Sequence, residues 1–146
     1  MFKITKTFGH NEGLSCCFRQ WKAESHCKYL HGYALQVSMI FASDNLDVRN
    51  WVIDYGSFKE GKDFLHRWFD HTTILAEDDP DLTVFKVLSD RKLIQLRTLP
   101  KVSTEMFAEF IFTNVNTLIV APAQIGVTLE SVRVSEHSGN SAMYGK

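Results

Sequence analysis

The chain has no excess of charge in either direction: sixteen Lys and Arg stand against seventeen Asp and Glu, a net charge of -1. No overall field draws it to nucleic acid or to an anionic membrane, and neither is expected as a partner. Cysteine is scarce, with Cys16 and Cys17 adjacent and Cys27 alone. Three such residues do not build the disulfide framework of a small secreted domain and fit a reducing cytoplasm better. Long apolar runs are also missing. The opening Met-Phe-Lys-Ile-Thr-Lys-Thr-Phe has no apolar stretch after its charges, which argues against a signal peptide, and no later stretch approaches a membrane span. The expectation is a soluble cytoplasmic protein.

What the chain does have is core-forming surface. Eleven Phe, three Trp and four Tyr in 146 residues that are 45% hydrophobic supply enough apolar area to offset chain entropy, which excludes a disordered protein. The length is that of a single domain over residues 1–146. No repeat or low-complexity segment interrupts it.

Residues 2 to 8 alternate apolar and polar like a half-buried strand, and residues 14 to 21 read as a second extended piece, with Gly9 and Gly13 as punctuation. Leu35, Val37, Met39 and Phe41 share one face of the clearest strand. The polar segment from Ala42 to Asn50 reads as a connection, and Trp51-Val-Ile-Asp54 as the returning strand of an antiparallel pair. From Ser57 as N-cap, Phe58, Gly61, Lys62, Leu65, Trp68 and Phe69 recur at helical spacing and deliver Asp70 and His71 at the helix end. Glu77-Asp-Asp-Pro-Asp81 reads as a solvated loop before a short helix from Leu82 to Ser89. Ile94 to Leu99 reads as a short strand. Ser103 caps an amphipathic helix with Met106, Phe107, Phe110 and Ile111 inward, and Gly126 to Glu136 alternates as a strand closing the sheet. This order predicts an α+β domain with helices on one face of an antiparallel sheet.

Three constellations can carry chemistry. In Cys27-Lys-Tyr-Leu-His31-Gly-Tyr33, a thiol and an imidazole precede a strand that places His31 and Tyr33 on one face; the plainer alternative is a packed thiol and a hydrogen-bonded imidazole. Asp70-His71 sets a carboxylate beside an imidazole, an arrangement that fixes a tautomer for proton transfer near neutral pH, or is only a helix end favoured by the dipole. Glu136 ends a strand, where it either faces water or accepts two parallel donors such as an aminopyrimidine edge.

Taken together, Cys27-x-x-x-His31-Gly, Trp51-Val-Ile-Asp54-Tyr-Gly-Ser-Phe-Lys59, Phe69-Asp70-His71, Ser103-Thr104-Glu105 and Val132-x-Val134-x-Glu136 run nearly end to end. In that order they resemble the motif set of the 6-pyruvoyl-tetrahydropterin synthase and 6-carboxytetrahydropterin synthase family. The resemblance implies the tunnelling fold (T-fold): an antiparallel four-stranded sheet with two main helices on one face. Such subunits assemble as a homo-oligomer, hexamer or tetramer, into a barrel with sites between neighbours. It implies a pterin held by Glu136 with Thr104 and Glu105, Cys27 as the proton-accepting thiol, and Asp70-His71 as a partnered imidazole on the other side of the substrate. The implied reaction is a lyase reaction of the 6-carboxytetrahydropterin synthase type. Protons are shuffled along the side chain of dihydroneopterin triphosphate or a related pterin, with loss of triphosphate or a two-carbon fragment, in 7-deazaguanine (queuosine-type) or pterin biosynthesis.

The same resemblance implies zinc, which would acidify the substrate hydroxyls it holds, on three histidines: one on the first strand and two in a His-Gly-His run. Here His31 is retained, but Phe18 or a neighbouring cysteine takes the first position and Tyr33 the third. Cys16 and His26 are the replacement ligands within reach of the sequence argument, giving with His31 a Cys-His-His set and one open position. The alternative is a zinc-free homologue that binds a pterin or purine with lost or changed activity.

Overall fold

The computed structural model describes residues 1–146. Its elements run β1 (Phe2–Phe8), β2 (Leu14–Phe18), β3 (His31–Ser43), α1 (Lys59–Phe69), β4 (Thr72–Ala76), α2 (Leu82–Asp90), β5 (Leu96–Leu99), α3 (Thr104–Val115), β6 (Thr128–His137) and β7 (Asn140–Gly145). The strand order is β5-β4-β2-β3-β6-β7, with β1 also on β3. At thirteen residues β3 is long enough to serve two partners in line: its first half pairs with β2 and its second half with β1, both antiparallel, while β6 pairs along it.

The α+β class and the two main helices on one face hold; the four-stranded antiparallel sheet does not. Seven strands form a mixed sheet, because β4 lies parallel to both β2 and β5. Every residue of β4 is buried, so it lacks the alternation that marks a half-solvated strand. A third helix, α2, buries none of its residues and lies outside the core. The strand of Gly126 to Glu136 is not the last, since β7 follows and pairs with it. The second extended piece ends at Phe18 rather than residue 21.

One core joins the layers. Leu35, Val37, Met39 and Phe41 of β3 have no exposed surface, and α1 (Phe64, Leu65, Phe69) and α3 (Phe107, Ala108, Ile111, Val115) cover them. Burying side chains of this size contributes roughly 2 kcal/mol each. The opposite face of the sheet is rich in hydroxyls, including Thr5, Ser38, Ser131, Ser135 and Ser141. Ser103 caps α3 as expected, its Oγ accepting from the Met106 N–H at 3.1 Å. Before α1 the cap is Asp54, whose Oδ1 accepts from the Gly56 N–H at 2.8 Å and starts a 3₁₀ turn over Tyr55–Phe58. Ser57, expected in that role, instead donates to the Asp54 carbonyl at 2.6 Å.

Trp51 to Asp54 is not a strand. The Asp47 carboxylate accepts from the N–H groups of Arg49 and Trp51, and Gln124 Nε2 donates to the carbonyls of Trp51 and Val52. Side chains thereby satisfy the backbone that a ladder would otherwise pair, and Val52 and Ile53 enter the core from a loop. No helix is long and apolar enough to cross a membrane.

The acidic loop is solvated except at Asp79, which is 5% exposed. Arg19, one residue past β2, donates to both of its oxygens, at 2.8 and 2.6 Å, and the Asp81 N–H adds a third bond at 2.9 Å. The Arg19 hydrogen bonds hold the Asp79 carboxyl below the usual aspartate range against the opposing effect of burial. A depressed folded pKa gives stability that is present above the unfolded value of about 3.9 and lost as pH falls through the folded value. Arg19→Met, which strands the buried carboxylate, should cost about 3 kcal/mol in urea unfolding at neutral pH. The deficit should shrink below about pH 4 as Asp79 takes a proton; a variant as stable as the parent at neutral pH would refute the pairing.

Candidate active site

The β2–β3 ladder sets Phe18 directly opposite His31 and Cys16 opposite Tyr33. Strand alternation turns all four toward the helix-covered face. Phe18 and His31 have ring centroids 5.2 Å apart, His31 and Tyr33 meet edge to face at 5.7 Å, and Phe18 also packs edge-on against Phe107 of α3 at 5.0 Å. His31 Nδ1 donates to the Tyr29 carbonyl at 2.7 Å, which leaves Nε2 with the free lone pair.

These residues do not fit zinc. The three positions where the resemblance expects histidines hold a phenyl ring, an imidazole and a phenol, of which only His31 is a ready ligand. Nor does the substitute set come together: no three His, Cys, Asp or Glu side chains are grouped as a metal site. His26 is exposed on a 3₁₀ turn, stacked on Tyr29. Cys16 is buried, and burial, with Cys17 adding, pushes its thiol up to about 12.

A different group does come together around Tyr33. Glu136 sits where the β6–β7 register shifts between Ser135 and His137. Thr104, the first residue of α3, donates to Glu136 Oε1 at 3.3 Å. The Tyr33 hydroxyl has its pKa raised first by burial, then by the charge of Glu136 and a hydrogen bond to it, with Cys27 adding. The phenol therefore lies within electrostatic reach of both the carboxylate and the thiol. Cys27 itself is exposed on the 3₁₀ turn His26–Lys28, which Ser25 caps and which the Gln20 N–H holds through the Cys27 carbonyl at 2.9 Å. Glu105 is exposed beside Thr104. Tyr33 was legible only as an absent ligand; its i, i+2 spacing from His31 was the available sign that it shares the face.

Asp70 and His71 occupy another place, between α1 and β4. His71 has a φ of 56°, a left-handed conformation uncommon outside glycine and shared here with Asn50 and Lys92. Its backbone is held on both sides: its N–H donates to the Ser15 carbonyl at 2.6 Å, and its carbonyl accepts from Gln95 Nε2 at 3.2 Å. His71 Nδ1 donates to Asp70 Oδ1 at 2.5 Å, and His66 Nδ1 to Asp70 Oδ2 at 3.0 Å. Burial works to raise the Asp70 pKa, but the bonds from His66 and His71 outweigh it and hold the carboxyl below its ordinary value. His71 borders a shallow groove with Cys17, Gly32, Tyr33, Thr73 and Gln95; neither Cys27 nor Glu136 lines it, and Tyr33 is the residue common to both places. A single chain thus divides the expected residues into two groups, Cys27 with Thr104 and Glu136 on one side and Asp70 with His71 on the other.

The family described as 6-pyruvoyl tetrahydropterin synthase matches residues 7–146 of the chain. A Rickettsia conorii protein named 6-carboxy-5,6,7,8-tetrahydropterin synthase is 32% identical over 83 residues, 56% of this chain and 57% of that protein. The likeness therefore spans little more than half the length of that relative. Among solved structures, an uncharacterized Wolinella succinogenes protein superposes with a TM-score of 0.83 at 20% identity, covering 99% of this chain and 98% of its own. The 6-pyruvoyl tetrahydropterin synthase of Plasmodium vivax superposes with a TM-score of 0.70 at 18% identity, covering 100% and 99%.

The thiols differ enough in exposure to be told apart chemically. At mildly alkaline pH, iodoacetamide should modify exposed Cys27 at least about tenfold faster than buried Cys16, read by peptide mass spectrometry. Equal rates would contradict the placement of Cys27 on an open turn.

Proposed function

The chain belongs to the 6-pyruvoyl tetrahydropterin synthase family, and from that premise we propose that it is a pterin-processing lyase of the 6-carboxytetrahydropterin synthase type. Its substrate is dihydroneopterin triphosphate or a close relative, in 7-deazaguanine or pterin biosynthesis. The observation that carries this reading is the Thr104 hydrogen bond to Glu136 at 3.3 Å, with the Tyr33 phenol within electrostatic reach of both Glu136 and Cys27. Glu136 accepts the two parallel donors of the aminopyrimidine edge, a charge-assisted pair that fixes the ring in its plane. Thr104 holds one carboxylate oxygen and so sets the angle of approach, and Glu105 flanks the same helix end. Cys27 takes a proton from the substrate side chain. Asp70 and His71 serve the opposite side of the substrate and come from a neighbouring copy in a homo-oligomer, hexamer or tetramer, a reading supported by the groove at His71, which neither Cys27 nor Glu136 lines. The free state of all three cysteines suits a reducing cytoplasm.

Phe18 and Tyr33 favour a second reading, a zinc-free homologue that keeps the pocket for a pterin or purine and has lost or changed the reaction. Incubation with dihydroneopterin triphosphate, with and without added zinc, and product analysis by mass spectrometry separate the two. The lyase reading expects product, with Cys27→Ala lowering kcat by about 100-fold or more. No turnover beside an active control enzyme would overturn it in favour of the second reading.

The donor set also makes a prediction about metal. Protein purified without chelators should carry well under one zinc per chain by elemental analysis, and the double substitution Phe18→His with Tyr33→His should raise this to about one. Stoichiometric zinc in the parent protein would contradict the ligand analysis.

A further inference from the structure

We propose that His66 is a positioning residue for the Asp70–His71 pair: by holding the second oxygen of Asp70 it keeps the first aimed at His71 Nδ1, so that the His71 Nε2 lone pair faces the groove. The proposal deepens, and rests on, the reading of Asp70–His71 as a proton carrier. Four contacts form one line across two parts of the fold. Lys62 Nζ lies 3.3 Å from Glu12 Oε2, and His66 Nε2 lies 3.5 Å from the same oxygen. His66 Nδ1 donates to Asp70 Oδ2 at 3.0 Å, and His71 Nδ1 donates to Asp70 Oδ1 at 2.5 Å. Lys62, His66 and Asp70 are spaced by four on α1 and its C-cap, so they share one face. Glu12, in the 3₁₀ turn between β1 and β2, stands on the far side of the His66 ring and pairs with it only when the ring is protonated; the neutral ring gives its one N–H to Asp70.

The consequence is a tautomer. An ionised carboxylate only accepts, so both imidazoles present N–H to Asp70, and His71 is left with Nε2 as its acceptor. A carboxylate bonded on both oxygens cannot rotate away from either partner; bonded on one, it is free to turn toward water. The backbone of His71 is pinned by Ser15 and Gln95, so the direction of Asp70 is the remaining freedom, and His66 removes it. The charged and titratable groups around His66 are Glu12 from the turn, Asp63, Lys62 and Asp70 from its own helix, and His71 across Asp70.

The test is the tautomer state of His71 by ¹⁵N nuclear magnetic resonance, on the whole protein without substrate, at a pH where imidazoles are neutral. The parent should show His71 protonated on Nδ1. His66→Ala should move roughly half or more of the His71 population to the Nε2–H form. His66→Gln, whose amide can donate to Asp70 from the same helical position, should keep the parent tautomer. An unchanged tautomer in the alanine variant, a glutamine variant that behaves like alanine, or a parent protonated on Nε2 would each overturn the proposal. Should the alanine variant fail to fold, His66→Leu, which keeps the side-chain bulk and donates nothing to Asp70, takes its place, with the same shift expected and an unchanged tautomer overturning the proposal. Failure of the lyase reading shows separately, as absence of product with the His71 tautomer intact.

Discussion

The pairing of β3 with β2 and β6 is the constraint on which the site depends. Side chains alternate along a strand, so a slip of one residue would turn His31 and Tyr33 to the hydroxyl-rich face and bring Gly32 and Ala34 to the helix side. Gly32 helps to forbid that slip. A Cβ at this position would lie 2.5 Å from the Cys16 carbonyl oxygen, so the approach of β2 to β3 requires glycine between the two functional side chains. With this register set, the apolar half of β3 lies under α1 and α3, and its first turn of chain presents His31 and Tyr33 beside Phe18. β6 then brings Glu136 to Tyr33 on the other side, and α3 supplies Thr104.

On the proposed reading the site is a pterin pocket with a changed floor. Three strand positions that could have offered three imidazoles to a cation are packed as touching rings, with Phe107 closing over Phe18. An aromatic cluster of this kind favours burial over coordination. It leaves Tyr33 with a hydroxyl within electrostatic reach of a carboxylate where a histidine would offer a ring nitrogen. On the proposed reading, recognition of the pterin ring survives this exchange intact, because Glu136 and Thr104 stand apart from it, while activation of the substrate side chain must come from Cys27, Tyr33 and the Asp70–His71 pair.

Much of this was legible in the sequence, for physical reasons that differ by element. β1, β3, α1 and α3 each bury one face and expose the other, so their periods stand out, and the cap at Ser103 is local chemistry. β4 buries both faces and β7 almost none, so neither alternates, and their pairing is set by distant partners. Trp51 to Asp54 has strand-like residues, yet Asp47 and Gln124 satisfy its backbone, a tertiary fact that composition does not carry. Cys27, Asp70, His71, Thr104 and Glu136 were singled out through their motifs. The approach of Tyr33 to Glu136, the pairing of His66 with Asp70 and the burial of Asp79 were not, since each joins residues through folded geometry rather than through spacing.

A fluorescence titration of the protein with neopterin, in the parent and in Glu136→Gln, tests the central claim that Glu136 organises a pterin site independently of metal. The account predicts saturable binding of one neopterin per chain in metal-free protein, weakened about 100-fold by the loss of the carboxylate charge. Binding that is unaffected by Glu136→Gln, or that appears only when zinc is supplied, would contradict it.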